Sequence, residues 1–428
     1  MKIKVIKIAI AGVGTVGSGL LDLLKKFKKT NYKIKITHIA ARRNFNKLNK
    51  SFPNSKVFKD AKSLLDEYDY DVLVELIGGE GGIAKKIIFD ALKKKKHVVT
   101  ANKALVSKYW QQIVKLTQTN GCTLKYEAAV AGGIPIIKVI GEFLISNKIK
   151  KIYGILNGTS NYILSKMLSS NGEFKNILKE AQRLGYAESN PKFDIDGTDT
   201  AQKLSILSSI AFNSNNKVQK IQNEGIESIN LVDLKIANSL GYKIKLLGLT
   251  EQNNKKIKNY VYPCLLSKDS FIANIDGVYN GVVVESNFCN KSCFVGEGAG
   301  ANPTATSVLS DIIFLIEMDN QITMPKTLIN NYEFVDLKSR YGSYYLRFTT
   351  DDKSGVISGI ANEFKRFNIS MKSMLQKETH QSNSKDATIV ITTHNCYEKN
   401  MMDALSKINT LGFIREKTVY IRIENLNN

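Results

Sequence analysis

No stretch of the sequence approaches the roughly 18–20 uninterrupted apolar residues that a membrane-spanning helix needs. The opening MKIKVIKIAI is basic and then apolar, as a signal peptide is. However, Lys7 interrupts the run, Gly12 and Gly14 follow, and no small-residue cleavage site comes after. It reads as the first strand of a sheet, and the protein as cytoplasmic. Cysteine is sparse: Cys122, Cys264, Cys289, Cys293 and Cys396 are odd in number and scattered over 428 residues, which argues against a disulfide framework. Cys289 and Cys293 are the one close pair, and with no second pair and no histidine nearby they do not make a zinc site. Arginine is scarce too. The net charge of +22 is carried almost wholly by lysine, spread along the chain with a single run at 93–96. Nucleic-acid grooves use arginine for bidentate phosphate and base contacts. Lys, Asn and Ile are abundant together, which reads as compositional drift, so neither nucleic acid nor a membrane surface is expected as a partner. The positive field still favours a polyanionic cofactor.

The 43 % of apolar residues can fill more than one core, and 428 residues divide naturally into two or three domains. Residues 3–11 are strand-like and 16–29 carry a helical period; 33–41, 71–76 and 97–100 read as further strands with helices between them. Strands alternating with helices make a parallel α/β sheet. From about 130 to 300 the pattern turns to α+β, with strands expected at 149–156, 243–250, 260–263 and 282–286 and helices at 159–169, 174–184, 199–212 and 231–240. A helix over 304–318 and then Pro325 follow. The tail reads as strand, helix, strand pair, helix and strand at 344–350, 355–367, 369–376, 387–393, 397–411 and 418–423, a βαββαβ module.

Gly12-Val13-Gly14-Thr15-Val16-Gly17 lies directly after the first strand and before the first helix. In that setting each glycine has a physical role. Gly12 permits the tight turn, Gly14 lets the backbone approach a pyrophosphate, and Gly17 lets the helix pack on the strand. Free N–H groups at the helix start, at Thr15 and Val16, face the phosphates. An NAD site usually places Asp or Glu about 20 residues further on for the ribose 2′-OH. Here that stretch is Ile39-Ala40-Ala41-Arg42-Arg43. Arg42 or Arg43 can pair with a 2′-phosphate, so NADP is the expected cofactor and NAD the alternative.

Six motifs stand in one order: GVGTVG at 12–17, VTANKALVS at 99–107, EAAVAGGIPII at 127–137, GILNGTSNYIL at 154–164, GYAESNPKFDIDGTDTAQKL at 185–204 and GEGAGANPTATSV at 296–308. In them the chain resembles the homoserine dehydrogenase family over about residues 5–320. The resemblance implies NADP-dependent interconversion of L-homoserine and L-aspartate 4-semialdehyde, on the way to threonine and methionine. The residues suit that chemistry. Reducing an aldehyde needs a hydride, a proton for the developing alkoxide, and positive charge near that oxygen. Lys103 follows a strand at the sheet's C-terminal side. Lys203 and Asp199 are four residues apart on one helix and share a face. The resemblance implies that Lys203 is the proton donor, with Lys103 beside substrate and nicotinamide and sharing that role. It also implies that Glu188 and Asp199 bind the amino-acid substrate, with Asp194 a further acid of the same pocket. Gly185 matches a cofactor contact, as does one or other of Gly298 and Gly300. Glu127, Val130, Gly132 and Ile134 match a sodium site, and a carboxylate with carbonyl oxygens suits a hard cation. Read from the residues alone, that segment is a glycine-rich hinge. Many family members have an acid where this chain has Asn190.

The tail resembles an ACT domain, a small-molecule-sensing module. Ser354 stands where the usual D-x-P-G turn has proline, while Gly355 is retained. The resemblance implies an amino-acid effector such as threonine, held at a pair of domains, with Asn368 near it. The expected architecture is a Rossmann-type nucleotide domain over 1–130 completed by about 301–325, an α+β catalytic and dimerisation domain over 131–300, a linker over 326–341 and an ACT-like domain over 342–428. A homodimer or homotetramer is expected. The competing readings are another NADP-dependent Rossmann oxidoreductase and a non-catalytic amino-acid sensor. An aspartate-semialdehyde dehydrogenase type would need a cysteine nucleophile, and none of the five cysteines sits in such a setting.

Overall fold

A computed structural model describes residues 3–28, 31–317, 330–378 and 386–426. Lys29, Met318, Pro325 and the start of the expected linker lie outside them. Six strands form the first sheet: β1 (Lys4–Ala11), β2 (Tyr32–Ala40), β3 (Lys56–Phe58), β4 (Val72–Glu75), β5 (His97–Thr100) and β6 (Leu124–Lys125). All run parallel, in the order β3-β2-β1-β4-β5-β6. Strands β4 and the end of β1 are buried throughout, as a sheet covered on both faces requires. Going outward, the order reverses between β1 and β4, and in such sheets ligands lie beyond the strands' C-terminal ends at that point.

The helix Ala301–Glu317 returns to this sheet. Its apolar face, including Val308 and Ile312, joins Ile8, Leu20 and Val74 in one core. It lies against the first helix (Thr15–Lys26), where a Cβ on Gly19 would meet the Ala301 carbonyl oxygen at 2.8 Å. Tyr32 donates to Glu317 across the join at 2.5 Å.

The second sheet is mixed. Its strands are β7 (Ile149–Ile155), β8 (Gln222–Asn223), β9 (Tyr242–Asn253), β10 (Lys256–Ser267), β11 (Tyr279–Ser286), β12 (Lys291–Glu297), β13 (Glu333–Phe334), β14 (Tyr341–Asp351), β15 (Met371–Glu378), β16 (Asp386–Thr393), β17 (Cys396–Tyr397) and β18 (Val419–Glu424). The main path runs β12-β11-β7-β9-β10-β18-β14-β16-β15. The tail has the βαββαβ element order with one addition, the two-residue β17 ahead of its second helix; the helices are Val356–Arg366 and Glu398–Ile408. Its sheet is continuous with the middle of the chain, because β18 pairs in parallel with β10 at Cys264–Leu266. Residues 330–341 also lie on the sheet: β13 pairs with β10, and Tyr260 donates its hydroxyl hydrogen to the Val335 carbonyl at 3.1 Å. Among the described residues no helix is long and apolar enough to cross a membrane.

Candidate active site

Gly12 ends β1 with φ at +101°, and a Cβ there would lie 2.7 Å from the Leu76 backbone. Only glycine can make this turn without displacing the β4 exit. A Cβ on Gly17 would stand 2.2 Å from the Gly12 carbonyl oxygen, so the helix packs directly on the turn. Gly14, the residue before the helix, has open space where its Cβ would be. Thr15 and Val16 open the helix behind it. A cleft of about 440 Å³ runs from Gly12, Val13 and Gly14 past Ala40 and Ala41 to Arg42 and Arg43. Lys59 and Asp60 line its far side, and sequence reasoning missed both. Asp60 is occupied in accepting the Lys62 N–H at 3.0 Å, and both arginines are exposed. These residues fit a dinucleotide: a cradle open at Gly14, free helix N–H groups and cationic side chains at the far end.

The lysine–carboxylate cluster is assembled from three non-adjacent segments. Past β5, Asn102 caps the helix Lys103–Asn120 by accepting the Leu105 N–H at 3.1 Å, and its Nδ2 donates to the Gly79 carbonyl at 2.7 Å. This fixes the first residue of the helix, Lys103. Past β7, Asn157 caps the helix Gly158–Ser170 by accepting the Ser160 N–H at 2.7 Å. The third segment is the short helix Lys192–Ile195 followed by Thr198–Phe212, joined at Gly197 with φ +84°.

These segments meet at Asp199, which is 6 % exposed. Lys103 Nζ stands 3.0 Å from its Oδ1 and Lys203 Nζ 2.8 Å from its Oδ2. Asn157 Nδ2 donates to Asp199 Oδ2 at 2.8 Å and to Asp194 Oδ1 at 2.7 Å. Lys203 Nζ also donates to the Leu156 carbonyl at 2.6 Å, which takes a second hydrogen bond from Asn280 Nδ2 at 3.0 Å. Burial works to raise the pKa of Asp199, but Lys203 and Lys103 overcome it and hold the carboxyl far below the usual range. The same pairing raises Lys103 above its ordinary value, against the opposing pull of burial. Burial raises Asp194, with the Asn157 hydrogen bond working against it. The centre is therefore a fixed carboxylate with two cationic lysines and a second, less easily ionised acid.

Lys103, Asp194, Asp199 and Lys203 are thus brought together. Glu188 is exposed on the neighbouring loop; its charge acts on Lys103, while its backbone carbonyl accepts from Gln182 Nε2. Gly185, at φ +77°, ends the helix Phe174–Arg183 on the same exposed loop. Gly300, at φ +120°, precedes the returning helix, and Gly298 packs on the Asn280 side chain. The sodium-motif segment sits directly behind: a Cβ on Gly132 would approach the Gly298 carbonyl to 2.8 Å. Glu127 is buried, and its two oxygens accept the N–H groups of Ile137 (2.8 Å) and Lys138 (2.9 Å). Burial, then the charge of Asp311, raises Glu127 to about 7. The Val130 N–H donates to the Glu127 carbonyl, the Gly132 carbonyl accepts from Ser307 Oγ at 2.6 Å, and the Ile134 N–H donates to the Ala131 carbonyl. Among the described residues no group of three or more His, Cys, Asp or Glu side chains is arranged for a metal, so a cation here would rely on Glu127 and carbonyl oxygens. Cys122 and Cys396 are buried, which pushes their thiols up to about 11, the opposite of an activated nucleophile.

Sequence reasoning missed Asn157, Asn280 and Glu75 as well as Lys59. Glu75, fully buried at the end of β4, accepts the Ile77 N–H (2.8 Å), the Gly78 N–H (2.9 Å) and the Thr100 hydroxyl (2.6 Å). It ties the exits of β4 and β5 together beside the glycine turn.

A parallel sheet in this order, with a glycine turn past β1 and a lysine–carboxylate centre past β5, defines a Rossmann-type oxidoreductase. Residues 12–127 match the model of the homoserine dehydrogenase NAD-binding domain, and residues 135–313 that of homoserine dehydrogenase. The chain belongs to the homoserine dehydrogenase family, and its function is that of a homoserine dehydrogenase, an NAD(P)-dependent oxidoreductase of amino-acid biosynthesis. It is 37 % identical to the homoserine dehydrogenase of Neisseria gonorrhoeae, over 99 % of both chains, and 35 % identical to that of Pseudomonas aeruginosa, over 99 % of this chain and 100 % of the relative. The crystal structure of a homoserine dehydrogenase from Thiobacillus denitrificans superposes with a TM-score of 0.91 at 36 % identity, covering 99 % of each chain.

Proposed function

We propose that the chain is an NADP-preferring homoserine dehydrogenase whose amino-acid substrate lies against Lys103, Lys203, Asp194 and Asp199. The observation that carries this reading is the Asp199 carboxylate holding both lysine Nζ atoms at 3.0 and 2.8 Å. When bound, the nicotinamide supplies or accepts the hydride. The ammonium of Lys203 has three donors, and Asp199 and the Leu156 carbonyl take two, leaving one for the substrate's C4 oxygen. In the reducing direction that proton passes to the developing alkoxide and leaves Lys203 as the neutral amine; in the oxidising direction the neutral amine takes up the hydroxyl proton and becomes the ammonium again. Lys103 adds positive charge near the same oxygen and orients the substrate. Asp194, with Glu188 at the rim, receives the substrate ammonium, which favours the ionised form that burial alone disfavours. The direct test follows NADPH oxidation with L-aspartate 4-semialdehyde; failure to turn over would overturn the reading.

NADP preference rests on Arg42 and Arg43 at the end of the cleft, where β2 ends in alanine. A hyperthermophilic archaeal homoserine dehydrogenase, 25 % identical over 72 % of this chain with a TM-score of 0.62, is known in complex with NADPH. Hydrogen bonds to a charged group contribute about 1.5–3 kcal/mol, so replacing both arginines by alanine should raise the KM for NADP about 10- to 100-fold. The KM for NAD should stay within about threefold, since it has no 2′-phosphate. Equal changes for both cofactors would refute the assignment.

We also propose a sodium ion held by Glu127 with the carbonyls of Val130, Gly132 and Ile134, a donor set suited to a hard cation. Glu127 at about 7 is raised above its ordinary 4.5, so the folded protein binds that proton more tightly than the unfolded chain does. Its contribution to stability therefore falls as pH rises from about 4.5 through 7. A cation reverses this by favouring the ionised form. The Tm difference between sodium chloride and choline chloride of equal ionic strength should thus widen from pH 5 to pH 8, and vanish in Glu127→Gln. Equal Tm values at pH 8 would rule the site out.

The βαββαβ tail supports an ACT-like role with an amino-acid effector such as threonine. Gly355 keeps its turn at φ +91°, and Asn368 follows the helix at φ +55°. Exposed Phe288 and Val295 beside and on β12 suit a homodimer or homotetramer. The five free cysteines suit a reducing, cytoplasmic setting.

A further inference from the structure

Arg422 on β18 is 2 % exposed and makes two forked contacts. Its Nη1 and Nη2 donate to Glu224 Oε2 and Oε1 at 2.7 and 2.8 Å. On its other side Nε donates to both oxygens of Glu398 at 3.1 Å, while Tyr344 donates to Glu398 at 2.7 Å. The guanidinium also lies 4.6 Å from the Tyr262 ring centroid. A planar fork of this kind fixes direction as well as distance. Arg422 and Glu398 belong to the tail. Glu224 belongs to the middle of the chain, in the loop after β8.

That loop is the backing of the active-site acids. A Cβ on Gly225 would stand 2.2 Å from the Ile195 carbonyl oxygen and 2.6 Å from the Asp196 Cα, so the two backbones touch. The Ile226 N–H donates to the Ile195 carbonyl at 2.9 Å, and Asn223 Nδ2 donates to the Asp196 carbonyl at 2.9 Å. The turn these groups hold, 194–199, begins with Asp194 and ends with Asp199. Its other side is held by Ser160 Oγ on the Asp194 carbonyl at 2.6 Å and by Asn157 on both carboxylates. The acids therefore sit between a cap from β7 and a loop whose side-chain anchor lies on the last strand of the tail.

We propose that Glu224 and Arg422 are positioning residues for the substrate-binding acids, so that the tail's last strand is part of the scaffold that sets affinity for the amino-acid substrate. The inference rests on the reading of Asp194 and Asp199 as substrate-binding groups. Shifting the turn changes where those carboxylates meet the substrate, whereas the dinucleotide cleft is built from β1, β2, β3 and β4 and is left alone.

The test uses the full chain and the variant Glu224→Gln. The Glu224 side chain is 41 % exposed, so the substitution leaves no buried charge on that residue, in contrast to any change at Arg422. We expect the KM for homoserine to rise about five- to tenfold, below the ~100-fold that a full 1 Å displacement costs. The KM for NADP should stay within about twofold, kcat should fall by a smaller factor than the homoserine KM rises, and Glu224→Asp, which keeps the charge, should fall between Gln and wild type. A homoserine KM unchanged in Glu224→Gln, whatever its Tm, overturns the proposal. So do rises of both KM values together, which would mean general loosening. If the wild type itself does not turn over homoserine, the underlying reading fails instead.

Discussion

Replacing Lys203 by alanine is expected to lower turnover at least ~100-fold, the scale on which a positioned proton donor contributes. In the proposed reading its Nζ has one donor left for the substrate oxygen, the other two being taken by Asp199 Oδ2 and the Leu156 carbonyl. Nothing else described at the site duplicates that geometry. Lys103 lies on the opposite oxygen of Asp199 and its side chain is 38 % exposed, so it approaches from the solvent side. The loss should fall on kcat with the KM for NADP unchanged, because the interaction strengthens only as charge develops on the oxygen. Steady-state kinetics on the purified variant decide the point, and turnover within about threefold of wild type would remove Lys203 from the role. Lys103→Ala should mainly raise the KM for homoserine if that lysine orients the substrate and leaves proton transfer to Lys203.

What was legible in the sequence divides by distance along the chain. The glycine turn is local in sequence: Gly12, Gly14 and Gly17 sit within one strand-to-helix step, although what closes the space at Gly12 is the Leu76 backbone at the β4 exit. Asp199 and Lys203 are one helical turn apart, so their pairing follows from spacing alone. Lys103 joins them only because the helix Lys103–Asn120 packs beside Thr198–Phe212, and the family motif, not the spacing, pointed to it. Asn157 reaches Asp194 and Asp199 across 37 and 42 positions, and no periodicity encodes such a meeting. Glu75 falls inside the strand expected at 71–76, and nothing in that local pattern marks its carboxylate as fully buried. The strand expected at 260–263 runs from Lys256 to Ser267. Pro263, which cannot donate to a ladder, is a reason to end the strand there. In the structure it lies between the residues that pair with β8 and those that pair with β18, where β10 changes neighbours on that edge. The fusion of the tail to the central sheet through β10 and β18 depends on that same change and could not be read from the local pattern.

Replacing Asp199 by alanine should cost about 3–5 kcal/mol of stability, the range for breaking a buried ion pair by removing one partner. It should also abolish activity at least as completely as the loss of Lys203. The carboxylate is 6 % exposed and takes Lys203, Lys103 and Asn157 together. Without it the two ammonium groups are left with Asp194 and, at the rim, Glu188 as the nearby acids. The sign of the pH dependence follows from the shifts. In the wild type Asp199 is depressed below 3.8, so its contribution is present above that pH and fades as pH falls toward its folded value. Lys103 is raised above 10.5, so its contribution is present below that pH and fades as pH rises through its folded value. In the alanine variant Lys103 loses the charge that contributes most to raising it and sheds its proton more readily. The stability deficit, read from urea denaturation midpoints, should therefore hold across neutrality and narrow only as pH rises above 10.5 or falls below 3.8. A deficit under about 1 kcal/mol at pH 7 would mean that Asp199 is solvated like an ordinary surface pair. Because Asp199 and Lys203 act as a unit, the double variant should be no slower than either single one. Additive losses would instead show that the lysine works without its carboxylate, and that the bridged centre is not the reacting one.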